Sequence, residues 1–325
     1  MGFCMKIGII GCGLIGEKRA LSISKKDKVT ALYDPNLDRS KYLSNITGAK
    51  VQDSPESVIN SDAEIIFVAT THNLLAKYAL KAINAKKHVL IEKPGACSSS
   101  ELKKLIKASK KNNTIVKVGF NHRFHPAISK AHEILKRSNL GEIIFIRGRY
   151  GHGGRVGYET EWRCNKKLSC GGELLDQGSH LIDLSIWFMG DLSVDYKMLQ
   201  TYFWDTNVED NCFLALKNKK NNLSWLHASW TEWKNCFSLE IYTKTAKFMI
   251  SGLGGSYGAE KLIFYKMSKK MGIPATKEWV YKNEDVSWSK EYMDFKKSIK
   301  ASRNPCGDLN DALKVMKLVE KIYTK

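Results

Sequence analysis

The chain has 325 residues, 43% of them hydrophobic, and a formal net charge of +19 from 52 Lys and Arg against 33 Asp and Glu. That length suits about two domains, the apolar fraction is ordinary for a packed core, and no apolar run reaches the roughly 18 residues a membrane span needs. No secretory cleavage pattern follows the N-terminus, and the excess charge is spread as lysine pairs such as Lys103–Lys104 rather than as a nucleic-acid motif, so a cytoplasmic protein that binds neither membrane nor nucleic acid is expected.

In chain order, "MKIGII" reads as a short apolar strand followed by Gly11-Cys12-Gly13-Leu14-Ile15-Gly16 and then a helical pattern. The glycine spacing alone is weak, but its place between strand and helix gives it meaning. Gly11 permits a tight turn, Gly13 lets backbone approach a pyrophosphate, and Gly16 allows close helix–strand packing. The helix start then offers free N–H groups to phosphate. An acid about 20 residues on completes the fingerprint, and Asp34, ending "KVTALYD", supplies it. A carboxylate there accepts from ribose hydroxyls and repels a 2′-phosphate, which favours NAD, although Arg39 keeps NADP open.

"AEIIFVATTHN", "HVLIEKP" and "TIVKVGFNHRF" read as further strands alternating with helices, the pattern of a parallel sheet. Ligands bind at the carboxyl ends of such strands, where Thr70, Lys93 and Asn121 fall. After a linking helix beginning "HPAISK", the runs "EIIFIRGRYG", "VDYKMLQTYFW", "VEDNCFLALK", "LSWLHASWTEW", "CFSLEIYTK" and "KFMIS" are rich in β-branched and aromatic residues with short turns between them. They predict an antiparallel sheet. Trp204, Trp225, Trp230 and Trp233 point to a covered sheet face. "DLNDALKVMKLVEKIYTK" predicts a final amphipathic helix.

Within "GGELLDQGSHLIDLSIWFMG", residues 171–190, Asp176, His180 and Asp183 stand at spacings of four and three in an otherwise apolar helix, so one face carries all three. The other seven histidines, His72, His88, His122, His125, His132, His152 and His227, are read as structural or surface groups. None has metal-site spacing. The eight cysteines are scattered without a Cys-x-x-Cys pair, so reduced thiols and no zinc site are expected.

The glycine fingerprint, the acid after the second strand, Glu92-Lys93-Pro94 at a strand end and the Gly172…Asp176…His180…Asp183 helix resemble, in this order, the Gfo/Idh/MocA oxidoreductases. The resemblance spans essentially the whole chain. It implies an α/β protein with a Rossmann dinucleotide-binding domain over residues 1–122. Residues 123–325 would form an α/β domain with a large open antiparallel sheet that closes the substrate pocket and mediates homodimers or homotetramers. The implied reaction is hydride transfer between NAD(P) and a secondary alcohol carbon of a sugar, sugar phosphate, nucleotide sugar or cyclitol.

Matched to the family's motifs, His180 is the base, Asp176 orients it or the substrate hydroxyl, and Lys93, before a cis proline, stabilises alkoxide. Leu14, Ile15, Thr70, Glu92 and Asn121 join the glycines and Asp34 around the cofactor, while Arg123, Trp162 and Arg163 face substrate. Asp183 is read as structural, bonding nearby backbone. Arg147, Arg149, Arg155 and Arg163 suit an anionic substrate. A cofactor-sensing regulator without catalysis is the alternative that the same fold allows. One departure stands out: Thr71 and Leu75 occupy the proline and histidine positions of the family's Thr-Pro-Asn-x-x-His loop.

Overall fold

The structure, a computed structural model, describes residues 4–282 and 284–324. They divide into two units. The first holds the chain up to Phe120 together with Trp288–Met316, and the second holds Asn121–Ser287 with the residues from Lys317 onward.

In the first unit, β1 (Lys6–Ile10), α1 (Leu14–Leu21), β2 (Lys28–Tyr33), α2 (Leu37–Thr47), β3 (Lys50–Val51), α3 (Pro55–Ile59), β4 (Ile65–Val68), α4 (His72–Asn84), β5 (His88–Ile91), α5 (Ser99–Asn112) and β6 (Val116–Val118) follow one another. The strands form a parallel sheet in the order β3-β2-β1-β4-β5-β6. Parallel strands are buried on both faces and read as unbroken apolar runs; all four residues of β4 are buried. Burying such aliphatic side chains stabilises the fold by roughly 1.5–3 kcal/mol each. The order reverses between β1 and β4, so a crevice for a ligand opens beyond their carboxyl ends. Asn36 caps α2 by accepting from the amides of Asp38 and Arg39, a contribution of about 1 kcal/mol that also fixes where Arg39 leaves the helix.

The second unit comprises α6 (Pro126–Arg137), β7 (Ile143–Gly151), α7 (Lys166–Ser169), a π turn at Leu174–Gly178 running directly into α8 (Ser179–Met189), and then β8 (Ser193–Gln200), β9 (Asn211–Lys217), β10 (Leu223–Ser229), β11 (Cys236–Thr243), β12 (Ala246–Ser251), β13 (Glu260–Lys266) and β14 (Ala275–Tyr281). The eight strands lie in the order β14-β13-β12-β11-β7-β10-β9-β8. The expected open sheet is therefore present and antiparallel throughout, except that β7 and β10 pair in parallel. Strand pleating sends successive side chains to opposite faces. On β7, Ile146 and Tyr150 are buried while Arg147 and Arg149 are exposed. Trp204 and Trp230 are core residues, whereas Trp225 and Trp233 are exposed, so the four tryptophans do not share one covered face.

Helix α9 (Ser287–Lys300) brings its residues from Trp288 on back to the first unit, and α10 (Leu309–Tyr323) crosses the division at Met316. The return differs from a single cut after residue 122, and side-chain chemistry explains it. Tyr292 and Phe295 join Ile7, Ile9, Phe67 and Leu90 in one core. Lys296 bonds both oxygens of buried Asp27 at 2.5 and 2.7 Å, and the Tyr292 hydroxyl donates to Asp27 at 2.7 Å. Buried Arg19 donates to Glu92 at 2.6 Å and also pairs with Glu291. None of these partnerships is visible from sequence order.

Cys4, Cys12, Cys164, Cys212, Cys236 and Cys306 are free thiols. Among the described residues, no helix is long and apolar enough to cross a membrane.

Candidate active site

The glycine turn after β1 has the form that its spacing predicts. Gly11 has φ +99°, and a Cβ there would run into the Ala69 carbonyl; a Cβ at Gly16 would strike the Gly11 carbonyl oxygen. Glycine is thus required for the turn and for the close seating of α1 on β1. Gly13 precedes α1 with no side chain capping the helix, which leaves the first amides directed outward. Leu14 is exposed and Ile15 half-buried.

Asp34 holds this turn as well as facing the crevice. Its Oδ2 accepts from the Cys12 amide at 2.8 Å and its Oδ1 from the Asn36 amide at 2.9 Å. Each oxygen retains a second lone pair for another donor. Arg39 also belongs here, since its Nη1 lies 3.9 Å from where a Cβ on Gly13 would sit. The amides, the carboxylate and the guanidinium together fit a dinucleotide. They would hold its pyrophosphate at the helix start and its ribose by Asp34.

Thr70 follows β4 and is half-buried, with its hydroxyl bonded to the Thr71 carbonyl at 3.2 Å. Glu92 and Lys93 follow β5, and the Lys93–Pro94 bond is cis as the resemblance implies. Glu92 is buried, and its carboxylate is engaged by Arg19. Burial pushes its pKa up against the pull of that guanidinium. The Arg19 pair anchors the strand end beside Lys93.

In the second unit the polar helix face is present, with a change in form. The first turn, carrying Asp176, is π-helical, and His180 is the second residue of α8. Single π turns recur at functional sites because they re-aim side chains. Every residue of α8 from Ser179 to Ile186 is buried, as a helix apolar on all sides must be. Glu209 fixes the entry to the π turn by accepting from the amides of Gly172 and Leu174, both at 3.1 Å, and from the Tyr323 hydroxyl at 2.7 Å.

The three polar groups of that face have partners that the sequence does not reveal. Asp183 accepts a two-pronged bond from Arg123, at 2.8 and 2.5 Å, both side chains being buried. This partner comes from the start of the second unit, 60 residues earlier in the chain. Asp176 accepts from Arg163 Nε at 3.0 Å, and the Arg163 guanidinium lies 4.8 Å over the Trp162 ring. Burial works to lower the Arg163 pKa, but Asp176, Tyr158 and Glu173 together leave it raised.

His180, 5% exposed, stacks on His122 with ring centroids 3.8 Å apart, and Tyr150 packs against both. His122 thus packs directly on the candidate base. The sequence signal was its place beside Asn121 just beyond β6. Asn121 itself donates to Ser287 Oγ at 2.9 Å and lies 3.2 Å from His122 Nδ1.

Arg147 and Arg149 sit on the sheet face opposite Tyr150, and Arg147 bonds Glu240 at 2.5 Å. Arg155 pairs with Glu161. Among the described residues, no cluster of three or more His, Cys, Asp or Glu is arranged to hold a metal ion.

Residues 5–120 match the model described as "Oxidoreductase family, NAD-binding Rossmann fold", and residues 128–249 match the "GFO/IDH/MocA C-terminal domain". The chain belongs to the Gfo/Idh/MocA family. It is 26% identical over 212 residues to levoglucosan dehydrogenase of Pseudarthrobacter phenanthrenivorans, a match covering 61% of this chain and 54% of that one. With glucose-6-phosphate 3-dehydrogenase of Bacillus subtilis the identity is 29% over 189 residues, covering 57% and 53%. The chain thus spans about half the length of these curated relatives. Both are dehydrogenases, as the family description implies, and not regulators. In fold the likeness is complete: a levoglucosan dehydrogenase solved with NADH and levoglucosan superposes with TM-score 0.89 at 19% identity, covering 98% of this chain and 96% of that one.

Proposed function

We propose that this chain is a dehydrogenase moving a hydride between NAD(P) and a secondary alcohol carbon of a sugar, sugar phosphate, nucleotide sugar or cyclitol. The observation that carries the reading is the buried imidazole of His180, one turn after a carboxylate that is itself held by an arginine. Bound NAD would supply the hydride acceptor. His180 takes the hydroxyl proton, which a group with an ordinary pKa of about 6.5 can do near neutrality. Asp176 stabilises the imidazolium that forms, since an opposite charge favours the charged form. Arg163 keeps that carboxylate in place. Lys93 donates to the reacting oxygen as negative charge develops on it.

The names of the relatives support the substrate class. The test is a screen of cofactor reduction over sugars, sugar phosphates, nucleotide sugars and inositols. Absence of turnover with every one of them, by protein that binds NADH, would leave the reading without support.

NAD is the proposed cofactor, with NADP admitted by Arg39 beside the glycine turn. Calorimetric titration is expected to show tighter NADH than NADPH binding. Asp34→Ala should narrow the gap by removing the ribose acceptor and the charge opposing a 2′-phosphate. It should also weaken both cofactors, because Asp34 holds the Cys12 amide. Arg39→Ala should widen the gap, and an unchanged ratio in both variants would locate the selectivity elsewhere.

The protein is further proposed to act as a homodimer or homotetramer. Tyr196 and Trp225 stack on one another in the second unit and are about half exposed, which suits a surface covered by another copy. Light scattering is expected to return twice or four times the 36.8 kDa chain mass; a monomer at working concentration would argue against it.

A further inference from the structure

We propose that His122 is a positioning residue for His180, presenting its ring face so that the His180 imidazole keeps one plane as it gains and loses a proton. The inference rests on the dehydrogenase reading and adds to it a residue that no family motif matched above assigns. Five rings converge here. His122 lies 3.8 Å from His180 at an interplanar angle of 27°, 5.0 Å from Tyr150, 5.4 Å from His125 and 5.8 Å from Phe237. All five residues are less than 9% exposed.

Of these four rings, three meet His122 edge-on or tilted, and His180 lies face to face with it. Two of these rings, His125 and His122, have restraints of their own. His125 Nδ1 is bonded to Glu260 at 3.0 Å, and the same carboxylate accepts from the Ala127 amide at the start of α6. His122 Nδ1 donates to Asn121 Oδ1 at 3.2 Å, and the Asn121 amide donates onward to Ser287. Its ring is thereby held from its edge and its face is left to His180.

Two consequences follow from a ring lying face-on to His180. An imidazolium forming on His180 meets the electron-rich face of a π system, an attraction available to any neutral aromatic ring. The His180 ring is also kept from rotating about its outer torsion, which is broad for histidine. A base displaced by about 1 Å can lose on the order of 10²-fold in rate. A ring that only filled the core would serve stability instead and would leave turnover unaffected once the protein was folded.

The experiment compares His122→Ala and His122→Phe with wild type, with two readouts. On a substrate found by the screen, His122→Ala is expected to lose on the order of 10²-fold in kcat with KM little changed. His122→Phe, which keeps a ring face, is expected to recover most of that loss. Independently of activity, the ring C–H signals of His180, assigned by their loss in His180→Ala, are expected to be shielded in wild type and His122→Phe and to move downfield in His122→Ala. If His122→Ala does not fold, His122→Leu supplies the non-aromatic variant of similar bulk.

Wild-type kcat in the alanine variant, or a phenylalanine variant no better than alanine, would overturn the assignment. So would a His180 signal indifferent to residue 122. Wild-type protein without turnover on any substrate would instead count against the dehydrogenase reading, and the resonance shifts would still decide whether His122 holds the ring.

Discussion

Replacing His180 by alanine is expected to lower turnover by about 10²–10⁴-fold, the range lost with a positioned acid–base group. The residues proposed to hold the dinucleotide, from Gly11 to Gly16 with Asp34, lie in the first unit, and His180 lies in the second. NADH affinity is therefore expected to be nearly unchanged. Some stability will be lost, because a buried ring leaves a void against His122 and Tyr150. Turnover must accordingly be read beside the thermal midpoint. Lys93→Ala is expected to act on kcat to a comparable degree through the uncompensated alkoxide. The double variant should fall well short of the product of the two effects, since groups acting on one proton and one oxygen are not independent. A folded, cofactor-binding His180→Ala protein with wild-type turnover would remove His180 from the mechanism.

Asp183→Ala is expected to be the most destabilising single change on the same helix. Arg123 is 4% exposed, and both prongs of its guanidinium fork are on Asp183. Removing one member of a buried pair strands the other charge, at about 3–5 kcal/mol. For a protein of this size that is on the order of a 10 °C fall in the thermal midpoint. Replacing both members with apolar residues of similar volume, Arg123→Met with Asp183→Leu, should cost less than the single change, because no charge is then left buried. The pairing is checked by a double-mutant cycle on thermal or urea unfolding. Additive effects of the two single changes would mean that the pair contributes nothing as a pair.

Local chemistry made much of this legible in the sequence. Gly11 and Gly16 sit where only glycine fits, Asp34 ends its strand as the spacing requires, and the runs from "EIIFIRGRYG" to "KFMIS" became β7 to β12. What the sequence withheld was pairing across long separations. Asp176 and Asp183 were correctly seen to share a helix, but their partners Arg163 and Arg123 lie 13 and 60 residues away. The π turn was also invisible, since its residues fit an α-helical pattern equally well. Strands β13 and β14 were not anticipated. Their flanks, rich in lysine and glycine, weaken the alternation that marks a strand.

The return of α9 to the first unit bears on how the molecule is made. A ribosome releases the nucleotide-binding sheet first, and all six of its strands are present once residue 118 has emerged. At that point Arg19 has Glu92 but not Glu291, Asp27 lacks Lys296 and Tyr292, and the core lacks Phe295. Those partners are translated more than 160 residues later. The second unit thus has every strand in hand before the first, which begins earlier, has its full core. A fragment stopped at Phe120 would carry Arg19 and Asp27 with too little to neutralise them, so the nucleotide-binding half cannot be had by cutting the gene where its last strand ends.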